Sequence, residues 1–384
     1  MTAAAAPRVL VVVGTRPEGI KLAPVLEALR SRDGEVEVRL ALTGQHTDLL
    51  DQVLRVFDLP VDHDLGIMKE GQDLYDVAHG CLTGLRELVA RVRPAMVLVQ
   101  GDTASVFFGA LVGFFERVRV GHVEAGLRTG DKWRPYPEEL LRRMTGVLAD
   151  VHFAPTPGAR EHLLAEGVPA GAIHVTGNTV VDALHRISAV PHEPSNADLR
   201  AAVATGRRLV LVTAHRRESF GAPLREAFAA LRRIADDHDD VILLYPVHPN
   251  PNVRGPAEAA LSGHPRITLT QPLDYLDLLW ALRHAALAIT DSGGIQEEAP
   301  SFGTPVIVLR DVTERPEGVT AGVARLVGTD AGRIVDAANE VLADGAAWRS
   351  AGNPYGDGRA GERIADVVVS ALTGAPRRTE DWSP

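Results

Sequence analysis

One cysteine, Cys81, stands in 384 residues. That excludes a disulfide framework and a thiolate-built metal site, and it fits a reducing cytoplasm. Positive charge is also short: 40 basic residues against 50 acidic ones give a formal net charge of -10, which argues against a nucleic-acid surface or an anionic membrane as partner. Any anionic ligand must therefore be met by local cations. No apolar run approaches the ~20 residues needed to span a bilayer. The start, "MTAAAAPRVLVVVG", has no basic region ahead of its apolar run and reads as a flexible leader plus a first strand. Neither G-x-x-x-x-G-K-[ST] nor G-x-G-x-x-G occurs after that strand. His46, His122 and His248 form no recognisable zinc spacing, so no metal is expected.

What is present is a rhythm. The runs "RVLVVVG", "VEVRLALT", "AMVLVQ", "VRVGHVEA" and "VHFAP" are separated by amphipathic stretches such as "TDLLDQVLRVFDL", the signature of a parallel sheet covered by helices. After "GNTVVDAL" and the loose "AVPHEPSNADLR", the rhythm restarts with "RLVLVTAH", "VILLYPVH", "RITLTQP", "LAIT" and "PVIVLR". The length also exceeds what one core normally organises. The expectation is an α/β chain of two Rossmann-like parallel-sheet domains, residues 1–185 and 186–375. The last helix would pack back toward the first domain, and "GAPRRTEDWSP" ends in a polar tail over 376–384. Polar residues fall where strands end: Gly14 to Arg16, Asp102, Glu124, His215, His248, and Asp291 to Gly294. That edge is where open α/β sheets bind ligands, and two such edges facing each other would form an interdomain active-site cleft.

Taken singly, the motifs admit two readings each. In "TDSGGIQEEAPSFGTPVIVL", Gly293 and Gly294 could let backbone N–H groups approach a phosphate, with Glu298 one turn on to grip ribose hydroxyls; the alternative is a plain turn followed by a solvated face at Glu297 and Glu298. In "GTRPEGIK", Arg16 offers a planar fork and Lys21 a mobile point charge to phosphate oxygens, or both are solvated charges at a helix start. Asp102 in "QGDTAS" and Glu124 in "GHVEAGLRTGD" are placed for proton transfer, although Asp102 also suits a helix N-cap. In "RPYPEELLRR", Glu138 and Arg142 are four apart and could form an ordinary intrahelical pair. His215, beside Arg216 and Arg217 in "TAHRRESFG", suits an anion.

Together these segments, with "TGQH", "TGNTVVDAL", "PVHPNPNVR" and "RDVTERPEGVTAGVARLVGTD", resemble the non-hydrolysing bacterial UDP-N-acetylglucosamine 2-epimerases from about Val9 to Ala371. The resemblance implies a GT-B-like fold, a homodimer, no redox cofactor, and interconversion of UDP-GlcNAc and UDP-ManNAc. In that family UDP leaves by anti elimination to give 2-acetamidoglucal and then returns. The matching positions are Arg16, Lys21, Asp102, Glu124, Glu138, Arg142 and His215 on the catalytic side, and Ser292, Gly293, Gly294, Glu298 and Arg315 for substrate binding. Asp102, Glu124 and Glu138 are the candidates for proton transfer, and His215 for support of the leaving diphosphate. Gln45 and Gln72 match a second, allosteric UDP-GlcNAc site, whereas Asp48 and Gly71 depart from it. The pattern P-E-E-x-N-R is also broken, with Leu141 in place of Asn. A hydrolysing relative, a GT-B glycosyltransferase and a non-catalytic UDP-sugar sensor are the competing readings. The "GTRPE" and "PEE" segments count against the second, and the three acids against the third.

Overall fold

The computed structural model describes residues 5–44, 54, 57–67, 71–344, 348 and 352–384. The chain divides into two compact units, 1–186 with 355–384, and 187–354. Each is built on a parallel sheet.

In the first unit, strands β1 (Arg8–Val13), β2 (Glu37–Leu42), β3 (His63–Asp64), β4 (Met96–Gln100), β5 (Arg119–Val123), β6 (Val151–Ala154) and β7 (Ile173–Val175) pair in the order β3-β2-β1-β4-β5-β6-β7. β1 and β4 lie wholly or almost wholly buried, as an apolar run covered on both faces requires. The helices are α1 (Arg16–Arg30), α2 (Leu74–Val92), α3 (Ala104–Phe115), α4 (Glu138–Leu148), α5 (Pro157–Ala165) and α6 (Thr179–Ser188). α2 opens with a capping box, in which Asp73 accepts from Asp76 N and Asp76 accepts from Asp73 N.

In the second unit, β8 (Arg208–Thr213), β9 (Val241–Pro246), β10 (Ile267–Thr270), β11 (Ala285–Thr290), β12 (Val306–Val308) and β13 (Ala324–Leu326) pair in the order β10-β9-β8-β11-β12-β13. The helices are α7 (Ala197–Ala204), α8 (Ala222–Asp237), α9 (Pro251–Leu261), α10 (Tyr275–His284), α11 (Gly293–Glu298), α12 (Pro316–Thr320) and α13 (Ala331–Ala343). Phe228 and Tyr245, fully buried aromatic side chains of this core, meet between α8 and the sheet at a ring-centroid distance of 5.8 Å.

Every long strand read from the sequence is present. The additions, β3, β7 and β13, are two or three residues long, too short for a hydrophobic period to show. The last helix, α14 (Ala360–Thr373), belongs to the first unit rather than the second, against α1. Glycine permits this contact, since a Cβ at Gly361 would lie 2.7 Å from the Pro24 carbonyl oxygen. Residues 376–384 are not a loose tail. Trp382 is buried and its N–H donates to Val175 O, while Asp381 accepts from Val175 N and Arg378 pairs with Glu35. The exposed backbone of short β7 takes up these bonds, and Trp382 adds the apolar anchor.

Both sheets have a switch point where neighbouring strands leave in opposite directions. In the first it lies between β1 and β4, in the second between β8 and β11. Crevices outside such points are where α/β sheets take ligands. Gly14 to Arg16 and Asp102 follow the first pair, and His215 and Asp291 follow the second.

Candidate active site

β4 and β5 run in register with Gln100 opposite Val123, so Asp102 and Glu124 emerge at adjacent strand ends. Each meets its own cation. Lys21 Nζ, from the second turn of α1, pairs with Glu124 Oε2, and both side chains are less than a tenth exposed. Asn178 Nδ2 approaches the same oxygen at 3.3 Å. Arg142, from α4, binds Asp102 Oδ2 through Nε at 3.1 Å and also through Nη2. A charge so buried is tolerable only with such a partner. Glu124 has a further peculiarity: its φ of 65° lies in the left-handed region, which is costly for a branchless but bulky side chain and recurs at functional positions.

Arg142 does not end at Asp102. Its Nη1 donates to Glu139 Oε2 at 3.1 Å, and Glu139, fully buried, also accepts from Thr129 N and Gly130 N. Arg142 thus joins Asp102 to Glu139. Glu138 stands half-buried on the same first turn of α4, with Leu141 half-buried one turn on. Arg16 opens α1 half-buried.

Behind Asp102, His122 Nε2 lies 2.8 Å from Gly101 O. Burial pushes this imidazole down to about 3, so it is neutral and Nε2 carries the proton that the carbonyl accepts. Gly101 itself needs its φ of 86° to turn the chain out of β4. Gly14 has a different reason to be glycine: a Cβ there would sit 2.3 Å from Ser105 Oγ, so the β1 turn and the start of α3 could not close on each other.

In the second unit, buried Asp291 accepts the N–H groups of His215 and Arg216 at 2.7 and 2.8 Å, and its other oxygen lies 3.3 Å from His215 Nδ1. Tyr245 Oη donates to Ala214 O at 2.6 Å, fixing the residue before the histidine. The His215 ring stacks on His248 with centroids 5.5 Å apart. Burial holds the His215 pKa below its ordinary value, with Asp291 opposing. Ser292, half-buried, precedes Gly293 and Gly294 at the start of α11. Arg315 lies over Gly293, where an added Cβ would come within 2.5 Å of Nη1. Its guanidinium is held by Glu297, at 2.6 Å, and by Glu314. Glu297 is thus wholly buried, and Glu298, 7% exposed, accepts from Tyr275 Oη at 3.1 Å. Neither is a solvated face.

A family model described as UDP-N-acetylglucosamine 2-epimerase matches residues 27–369. The UDP-N-acetylglucosamine 2-epimerase of Yersinia pestis is 49% identical over 369 residues, covering 94% of this chain and 98% of that one. The chain belongs to the UDP-N-acetylglucosamine 2-epimerase family. Among solved structures, a UDP complex of MnaA from S. aureus is similar with a TM-score of 0.91 and 42% identity, over 98% of this chain and all of that one. The Neisseria meningitidis UDP-GlcNAc 2-epimerase, solved with UDP-GlcNAc bound, gives 0.86 and 36%, over 96% and 100%.

Of the positions matched to the family, Lys21, Asp102, Glu124 and Arg142 are brought into two ion pairs at neighbouring strand ends. Glu138 and Arg16 stand on the same sheet edge. His215, Ser292, Gly293, Gly294, Glu298 and Arg315 gather at the other switch point. Gln72 donates to Ile67 O at 2.8 Å; Gln45, His46 and Asp48 lie outside the described residues. Sequence reasoning missed Glu18, Glu139, Asn178, Tyr275 and the bracing role of Asp291. All but Tyr275 sit inside quoted motifs, so their position was visible and their bonding was not.

Among the described residues, His192, Asp274 and Asp277 alone bring three metal-competent atoms together. Asp277 is already occupied there by His192, Ser195 and Asn196. No helix among the described residues is long and apolar enough to cross a membrane.

Proposed function

We propose that the protein interconverts UDP-GlcNAc and UDP-ManNAc without hydrolysis, by anti elimination and re-addition of UDP. The observation that carries this reading is the pair of carboxylates at neighbouring strand ends, each paired with a different buried cation, one of them held in a left-handed backbone conformation. Elimination removes the C2 proton, forms the C1–C2 double bond and expels the diphosphate. The return reverses these steps from the other face of C2. That chemistry asks for carboxylates on the reacting ring and cations for the departing charge. Asp102, Glu124 and Glu138 supply the proton-transfer groups. Lys21, Arg16 and Arg142 supply positive charge, and His215 supports the diphosphate.

The second unit holds the nucleotide in this reading. Ser292, Gly293 and Gly294 meet the phosphates, Glu298 the ribose, and Arg315 braces the glycine turn. Two relatives solved with UDP or UDP-GlcNAc support it. The Glu298 carboxylate, oriented by Tyr275, is poised to accept from vicinal hydroxyls. The reading places the protein in the cytoplasm, where its one thiol, Cys81, is buried and pushed up to about 11.

A homodimer belongs to the same proposal. Phe114 and Phe115 at the end of α3 are 58% and 63% exposed, and Val147 on the adjoining α4 is 86% exposed. Such an apolar group on a surface fits burial by a second copy. Sedimentation of the purified chain at twice the monomer mass checks it.

The test of the reaction is incubation with UDP-GlcNAc in D2O followed by NMR. Deuterium at C2 of UDP-ManNAc and of recovered UDP-GlcNAc is expected, because the proton returns from a solvent-exchanged base. Unlabelled C2 in epimerised product would refute elimination, and free ManNAc with UDP would replace the non-hydrolysing reading with the hydrolysing one.

A further inference from the structure

Glu18 takes no part in the pairs described above, yet it is only 2% exposed and lies at the centre of the first unit's sheet edge. Its Oε2 accepts from Gly14 N at 2.6 Å. Its Oε1 accepts from Thr15 Oγ1 at 2.9 Å and from Thr103 Oγ1 at 2.7 Å. Gly14 and Thr15 form the turn from β1 into α1; Thr103 follows Asp102 in the turn from β4 into α3. One carboxylate therefore joins the two sides of the switch point.

The two threonines show that this joint overrides a common local preference. Thr15 and Thr103 occupy the N-cap positions of α1 and α3, where a hydroxyl ordinarily accepts from its own helix's N–H groups. Neither makes that cap bond. Both point their hydroxyls at Glu18 instead. Two helix starts have given up their side-chain caps to this carboxylate. Thr15 and Glu18 have the T-x-x-E spacing of a capping box, but here Glu18 accepts from Gly14 N and from two threonine hydroxyls, one of them on the other turn.

We infer that Glu18 is a positioning residue, whose ionised carboxylate ties the turn carrying Arg16 to the turn carrying Asp102 and whose protonation loosens that tie. The ionised form accepts all three donors. A proton on either oxygen adds a donor to a site already made of donors, so a threonine hydroxyl must turn away or turn round, and the charge-assisted strength of the remaining bonds is lost. Thr103 is bonded covalently to Asp102, so slack at its hydroxyl is slack in the Asp102 turn.

The surroundings set where this happens. Burial pushes Glu18 up to about 7, with the charge of Asp102 adding to the rise and the bonds from Gly14, Thr103 and Thr15 opposing it. Asp102 faces it from the β4 turn and is itself tied to Arg142. Cys81 faces it from α2, its thiol raised partly by the Glu18 charge. Its own helix carries Arg16 two residues before it and Lys21 three residues after, the latter paired with Glu124 on the β5 end. Ser105 and Thr43 bond each other at 2.9 Å and do not titrate. The switch thus falls within the working pH range.

This inference rests on the proposed epimerase reading only for its kinetic arm. In protein labelled with 13C at the side-chain carboxyls, the resonance lost in Glu18→Gln identifies Glu18. It should titrate near neutrality in the intact protein and at higher pH in Thr103→Val, which removes one donor, keeps the branched shape and costs no cap bond. In the kinetic arm, kcat of the intact protein should fall on the acid side with the same midpoint. Thr103→Val should move that limb upward by about half a pH unit or more, as loss of one hydrogen bond to the charged form requires. Glu18→Gln should lower kcat about tenfold or more and abolish the step, with UDP affinity within about threefold of wild type. Glu18 titrating in the ordinary carboxylate range, or an acid limb that stays put in folded Thr103→Val, would overturn the inference. So would a loss of UDP affinity matching the loss of kcat. If the intact protein fails to convert UDP-GlcNAc, the functional reading falls, and the carboxyl titration, which needs no substrate, still decides the role of Glu18.

Discussion

His122 offers a direct measure of how strongly the first unit excludes water behind its carboxylates. The side chain is 1% exposed, its Nε2–H donates to Gly101 O, and burial pushes its pKa down to about 3. In the unfolded chain it titrates near 6.5. Between these values the unfolded state binds a proton that the folded state refuses, so stability rises with pH there. Put the other way, the loss begins as pH falls through about 6.5 and continues toward about 3. From pH 8 to pH 5 the span below 6.5 is about 1.5 units, which at 1.36 kcal/mol per unit is about 2 kcal/mol. His122→Gln keeps an N–H for Gly101 O and removes the charge. The variant will lose some packing at pH 8, but that loss is the same at pH 5. Urea unfolding of both proteins at the two pH values should show the wild-type advantage shrinking or reversing by about 2 kcal/mol at the lower pH. The other shifted groups are shared by both proteins and cancel in this difference: His152 pushed down to about 4, Glu18 up to about 7, and Asp182 up to about 6. A stability difference independent of pH would refute the reasoning, because it would mean that folded His122 takes up its proton as readily as the unfolded chain does.

Three further outcomes are expected. Lys21→Met leaves the Glu124 carboxylate facing Asn178 without its cation, and should cost about 3 kcal/mol of stability by breaking one side of a buried pair; a melting temperature within a degree of wild type would show the pair to be solvated. Gly293→Ala should displace the Arg315 guanidinium, since the new methyl would lie 2.5 Å from Nη1, and calorimetry should show UDP affinity falling about tenfold or more; unchanged affinity would remove this contact from the nucleotide site. Leu141→Asn places a polar group on the half-buried face of α4 that carries Glu138 and Arg142. It should shift the pH dependence of turnover or the preference among UDP-HexNAc substrates, with little change in stability; identical profiles would make Leu141 ordinary packing.

The sequence by itself determined the class of fold, because a parallel sheet covered on both faces needs near-continuous apolar strands, and "RVLVVV", "AMVLVQ" and "RLVLVT" cannot be read otherwise in that alternation. It also determined which chemical groups stand at the strand ends, since a residue that follows an apolar run leaves the sheet at its carboxyl edge. Pairing was decided elsewhere. Arg142 bonds Asp102, forty residues away, because α4 is carried past the end of β4 by packing that no local period records. Glu297 reads as a surface acid by composition and is buried because Arg315 folds back over Gly293. Short strands such as β7 exist because a neighbouring edge and the returning segment at Trp382 satisfy their backbone, a condition set by residues some two hundred positions away. Glu18 shows the division most clearly. Its place in "GTRPEGIK" is plain in the chain, but its role depends on a hydroxyl 85 residues on. Strand order alone brings the two together, because β1 and β4 are neighbours in the sheet and distant in the sequence.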